Sequence, residues 1–440
     1  MIPFPEQFIS NMQKMLGDDA PAFFAALNAE PALALRVNPL RGENAEAAAA
    51  PYIESNVPWA KYGRYLCPGA RPGAGIAHAA GAFYIQEASA MISAEILNPR
   101  PNENILDLCA APGGKATQIA AAMRGTGVFA ANEPDAARAK VLRANLERMG
   151  AGYAVVMNAY PDALTHTWAG FFDAIQCDAP CSGEGMFRRD PDARAQWSPA
   201  SPAGCAKRQA EILDRAAELL APGGRIVYST CTFNMEENEN TIRAFLARHP
   251  DFSAEDFHLS GIGDSQNGMI RAWPHIVRGD GHFACKLRKA GHTDHREAAS
   301  IIAREDRALL SQLSEICKID LVGKRIVRTG EYLFAVPAAL PDVGRVKIVS
   351  RGLCLLRIGK NYIEPAHALA MAIDPADAAR RLALTDAQAI RYLSGEAIET
   401  DAENGWTLAI WRGMALGWGK VSGGIFKNHL PKGLRISLHL

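Results

Sequence analysis

Two cysteines stand at positions where a thiol could carry out chemistry. Cys181 lies three residues after the run Phe172–Asp178, and Cys231 lies two residues after the run Arg225–Ser229. Short, largely apolar runs of this kind predict buried strands, and open α/β sheets place their reactive groups just past the carboxyl ends of such strands. A thiolate at either position could therefore act as the nucleophile in covalent catalysis.

The alternative is that both cysteines are structural, because free cysteine is among the most buried residue types. Catalysis is favoured for two reasons. Both cysteines come later in the chain than a turn of small residues that suits a ligand, and Asp178 and a proline precede Cys181. Cys109 and Cys177 lie inside or at the end of apolar runs, so we expect their side chains to be structural.

Methylation of carbon 5 of cytosine is a reaction that needs such a thiol, because this carbon is a poor nucleophile. Addition of a thiolate to carbon 6 moves electron density onto carbon 5, which can then accept a methyl group. Loss of the carbon 5 proton and elimination release the thiol again. Asp178, three residues before Cys181, is placed to hydrogen-bond the edge of the pyrimidine.

A second chemical signal is a turn of small residues between a strand and a helix. Small residues let a ligand approach the backbone, and the first turn of a helix offers free N–H groups to an anionic group. The turn does not fit the dinucleotide template G-x-G-x-x-G. Glu133, however, lies 20 residues after Gly113, where an acid can bind ribose hydroxyls. The combination suits S-adenosyl-L-methionine, with a plain glycine turn and a surface glutamate as the alternative. The turn consists of Cys109, Ala110, Ala111, Pro112, Gly113, Gly114 and Lys115.

Alternating strands and helices surround these segments from about residue 100 to 290. This alternation predicts a parallel sheet with helices on both faces, an α/β fold. Before it, the spacing of apolar residues predicts a helix over Gly81–Leu97, and a strand is predicted over Ala34–Asn38. After it, strand-like runs and a helix over Asp377–Leu393 predict a β-rich region.

Composition limits the class of protein. The chain has 440 residues, and its 47 basic and 47 acidic residues give a formal net charge of zero. No signal peptide and no run long enough to cross a membrane is visible. The nine cysteines are scattered without metal-binding spacing, so we expect a reduced, cytoplasmic protein with no metal site and no membrane partner.

These motifs together resemble the Nol/Nop/Sun family of RNA cytosine-5 methyltransferases and, within it, the bacterial small-subunit ribosomal RNA methyltransferase F group. The resemblance covers roughly residues 30 to 290, and the tail is similar to the C-terminal RNA-binding region of that group. The matching segments are Tyr84–Ser89, Asp107–Lys115, Asp178–Gly185, Arg188–Pro191, Ser229–Thr232 and Glu236–Glu239.

The resemblance implies roles for individual residues. Cys231 would be the nucleophile, and Cys181 would assist release of the product. The turn, Glu133 and Asp178 would hold S-adenosylmethionine. The family often has an aspartate after its third strand. Asn158 is the nearest residue here, and its amide is expected to bond the adenine.

The resemblance also implies a domain plan. We expect an N-terminal α+β region like an RNA-recognition domain over 1–98, a Rossmann-like class I methyltransferase core over 99–290, and a β-rich RNA-binding region over 291–440 that divides near 375. The expected substrate is RNA, in particular small-subunit ribosomal RNA or the small ribosomal subunit itself, bound by a monomer.

Two basic segments near the C-terminus could hold an RNA backbone. Residues 321–360 contain eight Lys or Arg and two acids, whereas 411–440 contain five Lys or Arg and no acid. Contacts of lysine and arginine with phosphates depend on salt. Trp406, Trp411 and Trp418 could stack on bases. Core packing is favoured for Trp406 and Trp411, whereas core packing and base stacking both remain open for Trp418.

Three alternatives to this function stay open. A DNA cytosine-5 methyltransferase would use Cys181 as the nucleophile, but the Cys231 motif and the basic tail argue against it. A transfer RNA substrate would need the same chemistry. A ribosome-assembly factor that binds RNA without catalysis is disfavoured because both cysteines, Glu133 and the turn are intact.

Overall fold

The N-terminal region forms a four-stranded antiparallel sheet with helices around it. The computed structural model describes residues 2–293, 299–304, 306–360 and 362–436. The sheet has the strand order β2-β3-β1-β4. Its elements are α1 (Glu6–Leu16), α2 (Ala20–Asn28), β1 (Ala34–Val37), α3 (Gly42–Ala49), β2 (Ile53–Asn56), β3 (Gly63–Leu66), α4 (Ile76–Ala79), β4 (Phe83–Ile85) and α5 (Ile92–Leu97).

The helix predicted over Gly81–Leu97 is wrong in its first half. Residues 83–85 form β4, which pairs antiparallel with β1, and only Ile92–Leu97 is α-helical. Phe83 is fully buried in this sheet, so tertiary packing overrides the local helical spacing.

The middle of the chain is the α/β core that the sequence predicts. Its elements are β5 (Asn104–Asp107), α6 (Gly114–Met123), β6 (Val128–Asn132), α7 (Ala136–Arg148), β7 (Val155–Met157), α8 (Pro161–Trp168), β8 (Phe172–Asp178), α9 (Pro191–Gln196), α10 (Ser201–Leu219), β9 (Leu220–Thr230), α11 (Thr241–Arg248), β10 (Phe252–Ala254), β11 (His258–Leu259), β12 (Gly263–Asp264), β13 (Met269–Ala272) and β14 (His282–Lys289).

The order of strands in the core sheet determines where the site lies. Strands β7, β6, β5, β8 and β9 are parallel and adjacent in that order, and β14 adds antiparallel to β9. The chain leaves β5 toward β6 on one side and returns to β8 on the other. Such a switch point opens a crevice at the carboxyl edge of the sheet.

The C-terminal region contributes two further sheets and one strand of the core sheet. The sheets have the orders β15-β16-β18-β19 and β20-β22-β23-β24-β21, and β17 pairs antiparallel with β7. The elements are α12 (Asp306–Ser314), β15 (Lys324–Thr329), β16 (Tyr332–Pro337), β17 (Ile348–Arg351), β18 (Leu353–Ile358), β19 (Ile363–Pro365), α13 (His367–Ala372), β20 (Arg381–Ala383), α14 (Asp386–Leu393), β21 (Ile398–Glu399), β22 (Gly405–Trp411), β23 (Met414–Ser422) and β24 (Ile425–Asn428).

The helix predicted over Asp377–Leu393 is also wrong in its first half, because Arg381–Ala383 pairs parallel with β22 as a strand. In the parts of the chain that the structure describes, no helix is both long enough and apolar enough to cross a membrane.

Candidate active site

The structure brings the two candidate cysteines together. Cys181 follows β8 and Cys231 follows β9, and their Sγ atoms are 3.4 Å apart, within hydrogen-bonding distance for thiols. Both are partly exposed free thiols. The hydrogen bond with Cys231, reinforced by burial, raises the pKa of Cys181 well above its ordinary value. Cys181 therefore holds its proton.

Two buried glutamates hold the loops that carry the cysteines. Oε2 of Glu184 accepts hydrogen bonds from the hydroxyl of Thr232 at 2.8 Å and from the backbone N–H groups of Phe233 at 2.8 Å and Asn234 at 2.9 Å. Glu237 accepts from the backbone N–H of Ser182 at 2.9 Å and from its hydroxyl. Each glutamate thus connects the loop after β8 to the loop after β9 and fixes the distance between the thiols.

Asp178 forms an ion pair beside the cysteines. Its Oδ2 lies 2.8 Å from Nζ of Lys115, and its Oδ1 accepts a 2.7 Å hydrogen bond from the Ser229 hydroxyl. Burial acts to raise the pKa of Asp178, but the nearby Lys115 and His282 together with the hydrogen bonds from Lys115 and Ser229 outweigh it and hold the pKa below its ordinary value. Asp178 is therefore an ionised hydrogen-bond acceptor, and the structure brings it together with Lys115 of the turn.

The small-residue turn connects β5 to α6 at the same edge of the sheet. The carbonyl of Ala111 accepts from Arg138 at 2.9 Å, and the carbonyl of Pro112 accepts from Asn145 at 2.9 Å. Gly113 has a φ of 119°, which other residues rarely adopt. The turn is therefore held from α7.

Sequence reasoning missed an acid beneath this turn. Asp107, the last residue of β5, is fully buried, and among the described residues no group meets either of its carboxylate oxygens in good hydrogen-bond geometry, although the backbone N–H of Cys109 lies near enough to favour the charged form. Burial, followed by the charge of Asp178, raises the pKa of Asp107 to about 8. The available signal was an aspartate at the end of an apolar strand, a position that Asp178 also has.

Glu133 and Asn158 lie together past the ends of β6 and β7. Glu133 is almost fully buried, with one carboxylate oxygen accepting from the backbone of Asp135 at 3.0 Å and the other 3.4 Å from Arg138. Nδ2 of Asn158 donates to the backbone carbonyls of Glu133 at 3.0 Å and Pro134 at 2.7 Å. The amide nitrogen is committed to these carbonyls, which leaves the amide oxygen as the atom that can meet a ligand.

The N-terminal region supports the turn directly. The guanidinium of Arg36, a fully buried residue of β1, donates to the carbonyl of Gly114 at 2.7 Å and to the hydroxyl of Thr117 at 2.7 Å. It also contacts Gln86. The first turn of α6 is therefore fixed by a residue far away in sequence.

Base stacking requires an exposed ring, but two of the three tryptophans near the C-terminus are buried. Trp418 is only 1% exposed and donates from its indole to the carbonyl of Ala366 at 3.1 Å, and Trp411 is also buried. Trp406 is half-buried, with Nζ of Lys420 lying 5.8 Å from its ring centre. A stacking role for Trp418 is excluded, and Trp406, assigned to the core from the sequence, packs partly buried against the C-terminal hydrophobic core.

Comparison with known proteins identifies the family. A family model described as 16S rRNA methyltransferase RsmB/F matches residues 94–288. Models of the RsmF N-terminal domain, first C-terminal domain and PUA domain match 4–88, 313–373 and 379–436. Ribosomal RNA small subunit methyltransferase F of Klebsiella pneumoniae is 33% identical and covers 98% of this chain and 96% of its own. The chain belongs to the 16S rRNA methyltransferase RsmB/F family.

Other relatives agree with this membership. The enzyme of the same name from Shewanella loihica is 33% identical over 86% of this chain and 83% of its own. A crystallised methyltransferase homolog from Pyrococcus horikoshii is 29% identical, covers 66% of this chain and 96% of its own, and gives a TM-score of 0.56. The structure of NSun6 from Pyrococcus horikoshii with SFG has the same fold. It is 20% identical, the match covers 66% of this chain and 100% of the NSun6 chain, and the TM-score is 0.58.

The resemblance inferred from the motifs is thereby confirmed. The protein is an enzyme of the methyltransferase class and uses S-adenosylmethionine, as predicted. The Rossmann-like core with a PUA-type β-rich region near the C-terminus is confirmed as well.

Proposed function

We propose that this enzyme methylates carbon 5 of a cytosine in small-subunit ribosomal RNA through a covalent bond between Cys231 and carbon 6. The observation that carries the proposal is the pair of thiols 3.4 Å apart, beside the Lys115–Asp178 ion pair at the carboxyl edge of the sheet. The shared edge gives one crevice room for a cofactor over β5 and β6 and a base over β8 and β9.

The residues of the crevice fit S-adenosylmethionine. Among the described residues, the buried carboxylate of Asp107 has no partner in good hydrogen-bond geometry, and the ammonium group of the methionine moiety would supply one. The turn Cys109–Lys115 would bind the carboxylate through backbone N–H groups. Glu133 would accept from the ribose hydroxyls, and the Asn158 amide oxygen from the amino group of adenine.

The bound cofactor supplies an electrophilic methyl group. The Cys231 thiolate adds to carbon 6, forming a C–S bond and placing electron density on carbon 5, which accepts the methyl group. Asp178 accepts a hydrogen bond from the amino group of the base while charge moves onto the ring. A base then removes the carbon 5 proton, and the C–S bond breaks with its electrons returning to Cys231. The Cys181 thiol donates a hydrogen bond to that departing sulfur.

The domain plan follows the same proposal. Residues 1–98 support the cofactor turn and approach the RNA, 99–290 carry the chemistry, and 291–440, dividing near 375, hold the RNA backbone. A target base must leave its stack or be unpaired to reach the crevice. We further propose that the enzyme acts as a monomer in the cytoplasm.

Deleting the gene tests the proposal. Nucleoside mass spectrometry and bisulfite sequencing should show loss of 5-methylcytosine from small-subunit ribosomal RNA. The wild-type gene should restore it, whereas the Cys231→Ala gene should not. Loss confined to transfer RNA would move the substrate while keeping the chemistry. An unchanged pattern in both RNAs would reject the proposal.

A further inference from the structure

His282 is a buried histidine that neither the sequence motifs nor the proposed mechanism uses. It is the first residue of β14, and the next residue, Phe283, is paired with Thr230 at the end of β9. Because β14 runs antiparallel to β9, its first residue lies at the edge of the sheet that carries Cys231. His282 therefore belongs to the crevice by position, although it comes 51 residues after Cys231 in the sequence.

The imidazole faces the ion pair of the site without joining it. Its Nε2 lies 3.9 Å from Oδ1 of Asp178, too far for a hydrogen bond. That oxygen already accepts from Ser229 at 2.7 Å, and the other oxygen is 2.8 Å from Lys115. The side chain of His282 is 2% exposed, and its Nε2 has no hydrogen-bond partner among the described residues.

An unpartnered nitrogen in this position calls for a ligand. Burying a polar group without a hydrogen bond destabilises the folded state, and apolar residues of similar volume would avoid that cost. Burial, with a contribution from the charge of Lys115, lowers the pKa of His282 to about 3. The ring is therefore neutral, so Nε2 can donate to or accept from a neutral base without bringing in charge.

We propose that Nε2 of His282 hydrogen-bonds the polar edge of the target cytosine as a second contact beside that of Asp178. The inference rests on the proposed function, since it takes the substrate base from there. Asp178 offers an acceptor, while the edge of cytosine offers one donor group and two acceptors. A second protein atom next to Asp178 leaves fewer of these groups unpaired when the base has left water.

Two substitutions in the full-length enzyme test this contact. His282→Leu removes the nitrogen, and His282→Gln returns an amide nitrogen near the position of Nε2. His258→Leu, at a histidine whose side chain is 68% exposed, is the control. The assays are single-turnover methylation of transcribed 16S RNA, S-adenosylmethionine affinity by calorimetry, and thermal unfolding.

For His282→Leu we expect a methylation rate about 10- to 100-fold lower, with cofactor affinity within about twofold of wild type. Its Tm should be unchanged or higher, because an unpaired buried polar atom has been removed. His282→Gln should recover most of the rate. A purely structural histidine would instead give a lower Tm and a normal rate.

A wild-type rate in His282→Leu would overturn the inference. A rate that falls only in proportion to cofactor affinity would do so too, because the nitrogen would then serve the cofactor and not the base. If the wild-type enzyme itself failed to methylate cytosine in this RNA, the proposed function would fall first, and with it the substrate of this contact.

Discussion

The two thiols have different roles although they lie in contact, and this difference can be measured. Cys181 keeps its proton because the hydrogen bond to Cys231 and burial both raise its pKa. Cys231→Ala should remove the nucleophile and lower the rate by roughly 10³-fold or more. Cys181→Ala should still form the bond to carbon 6 but release the product slowly, so a covalent complex of enzyme and RNA should accumulate on a denaturing gel.

Cys205→Ala is the matched control, since Cys205 is a partly buried thiol on α10 that lies outside the pair. It should neither trap RNA nor slow the reaction. If the complex accumulated with Cys231→Ala and not with Cys181→Ala, the roles would be reversed, as in the DNA-type alternative.

Asp107 should release a proton when the cofactor binds. Its pKa of about 8 keeps the carboxyl group protonated in the free enzyme at pH 7, whereas the ammonium group of S-adenosylmethionine favours the charged form. Calorimetry at pH 7 in buffers of different ionisation enthalpy should therefore show release of up to about one proton. Asp107→Asn should release markedly less at pH 7; equal release by wild type and variant would contradict the assignment.

Sequence patterns identify reactive residues more readily than their unpaired neighbours. Cys181 and Cys231 could be found because each follows an apolar run and reactive groups gather at strand ends, and Asp178 could be found because it lies three residues before Cys181. His282 could not be found in this way. It begins a strand that runs the other way, so it reaches the crevice only through pairing with β9. The burial of Trp418 was also undecidable locally, since a basic segment can place a tryptophan on either face of a strand.

At the scale of elements, the site depends on the two loops that Glu184 connects. Glu184→Ala would leave the buried N–H groups of Phe233 and Asn234 without their acceptor, at a cost of about 1–3 kcal/mol for each. We expect a clearly lower Tm and a rate reduced by more than about tenfold. Cofactor affinity should be nearly unchanged, because the turn after β5 does not contact Glu184.

The nearby exposed residue Glu236 provides the control for that experiment. Glu236→Ala should have the same Tm and the same methylation rate as the wild type. If Glu184→Ala also lost cofactor affinity, the loops after β8 and β9 would not move independently of the turn after β5. The effect of Glu184 would then extend to the whole site and not only to these two loops.

The sequence predicts best those elements that features of their own segment define. Strand β8 covers Phe172–Asp178, the residues of the predicted apolar run, because the run itself defines it locally. The segments 83–85 and 381–383 became strands because β1 and β22 pair with them. Local periodicity carries no information about such partners.

At the scale of the whole molecule, the regions are built into one another. Strand β17, from the C-terminal region, extends the core sheet at β7, and the backbone N–H of Asn158 donates to the carbonyl of Lys347 at 2.8 Å. Arg36 ties the N-terminal sheet to the cofactor turn. The three predicted regions thus meet around one crevice. Domain boundaries drawn on the sequence could not reveal this, because the pairing of β17 with β7 joins residues nearly 200 positions apart.

The charge of the whole molecule bears on RNA affinity. A net charge of zero provides no overall attraction for RNA, so binding must come from local cations. Lys420 and Lys427 are exposed and lie directly opposite each other on β23 and β24. Like charges in this arrangement destabilise a sheet, and an RNA phosphate would relieve the repulsion.

Replacing both lysines by glutamine should therefore weaken RNA binding and slightly stabilise the fold. The slope of log affinity against log salt should decrease in magnitude by roughly one to two units, whereas the cofactor affinity should not change. A double variant of equal charge change on exposed residues elsewhere, Lys14→Gln with Arg243→Gln, should leave the slope as it is. Filter binding of 16S RNA over a range of salt concentrations measures both variants. An equal decrease in the two would mean that RNA responds to total charge, and the C-terminal sheet would lose its special part in recognition.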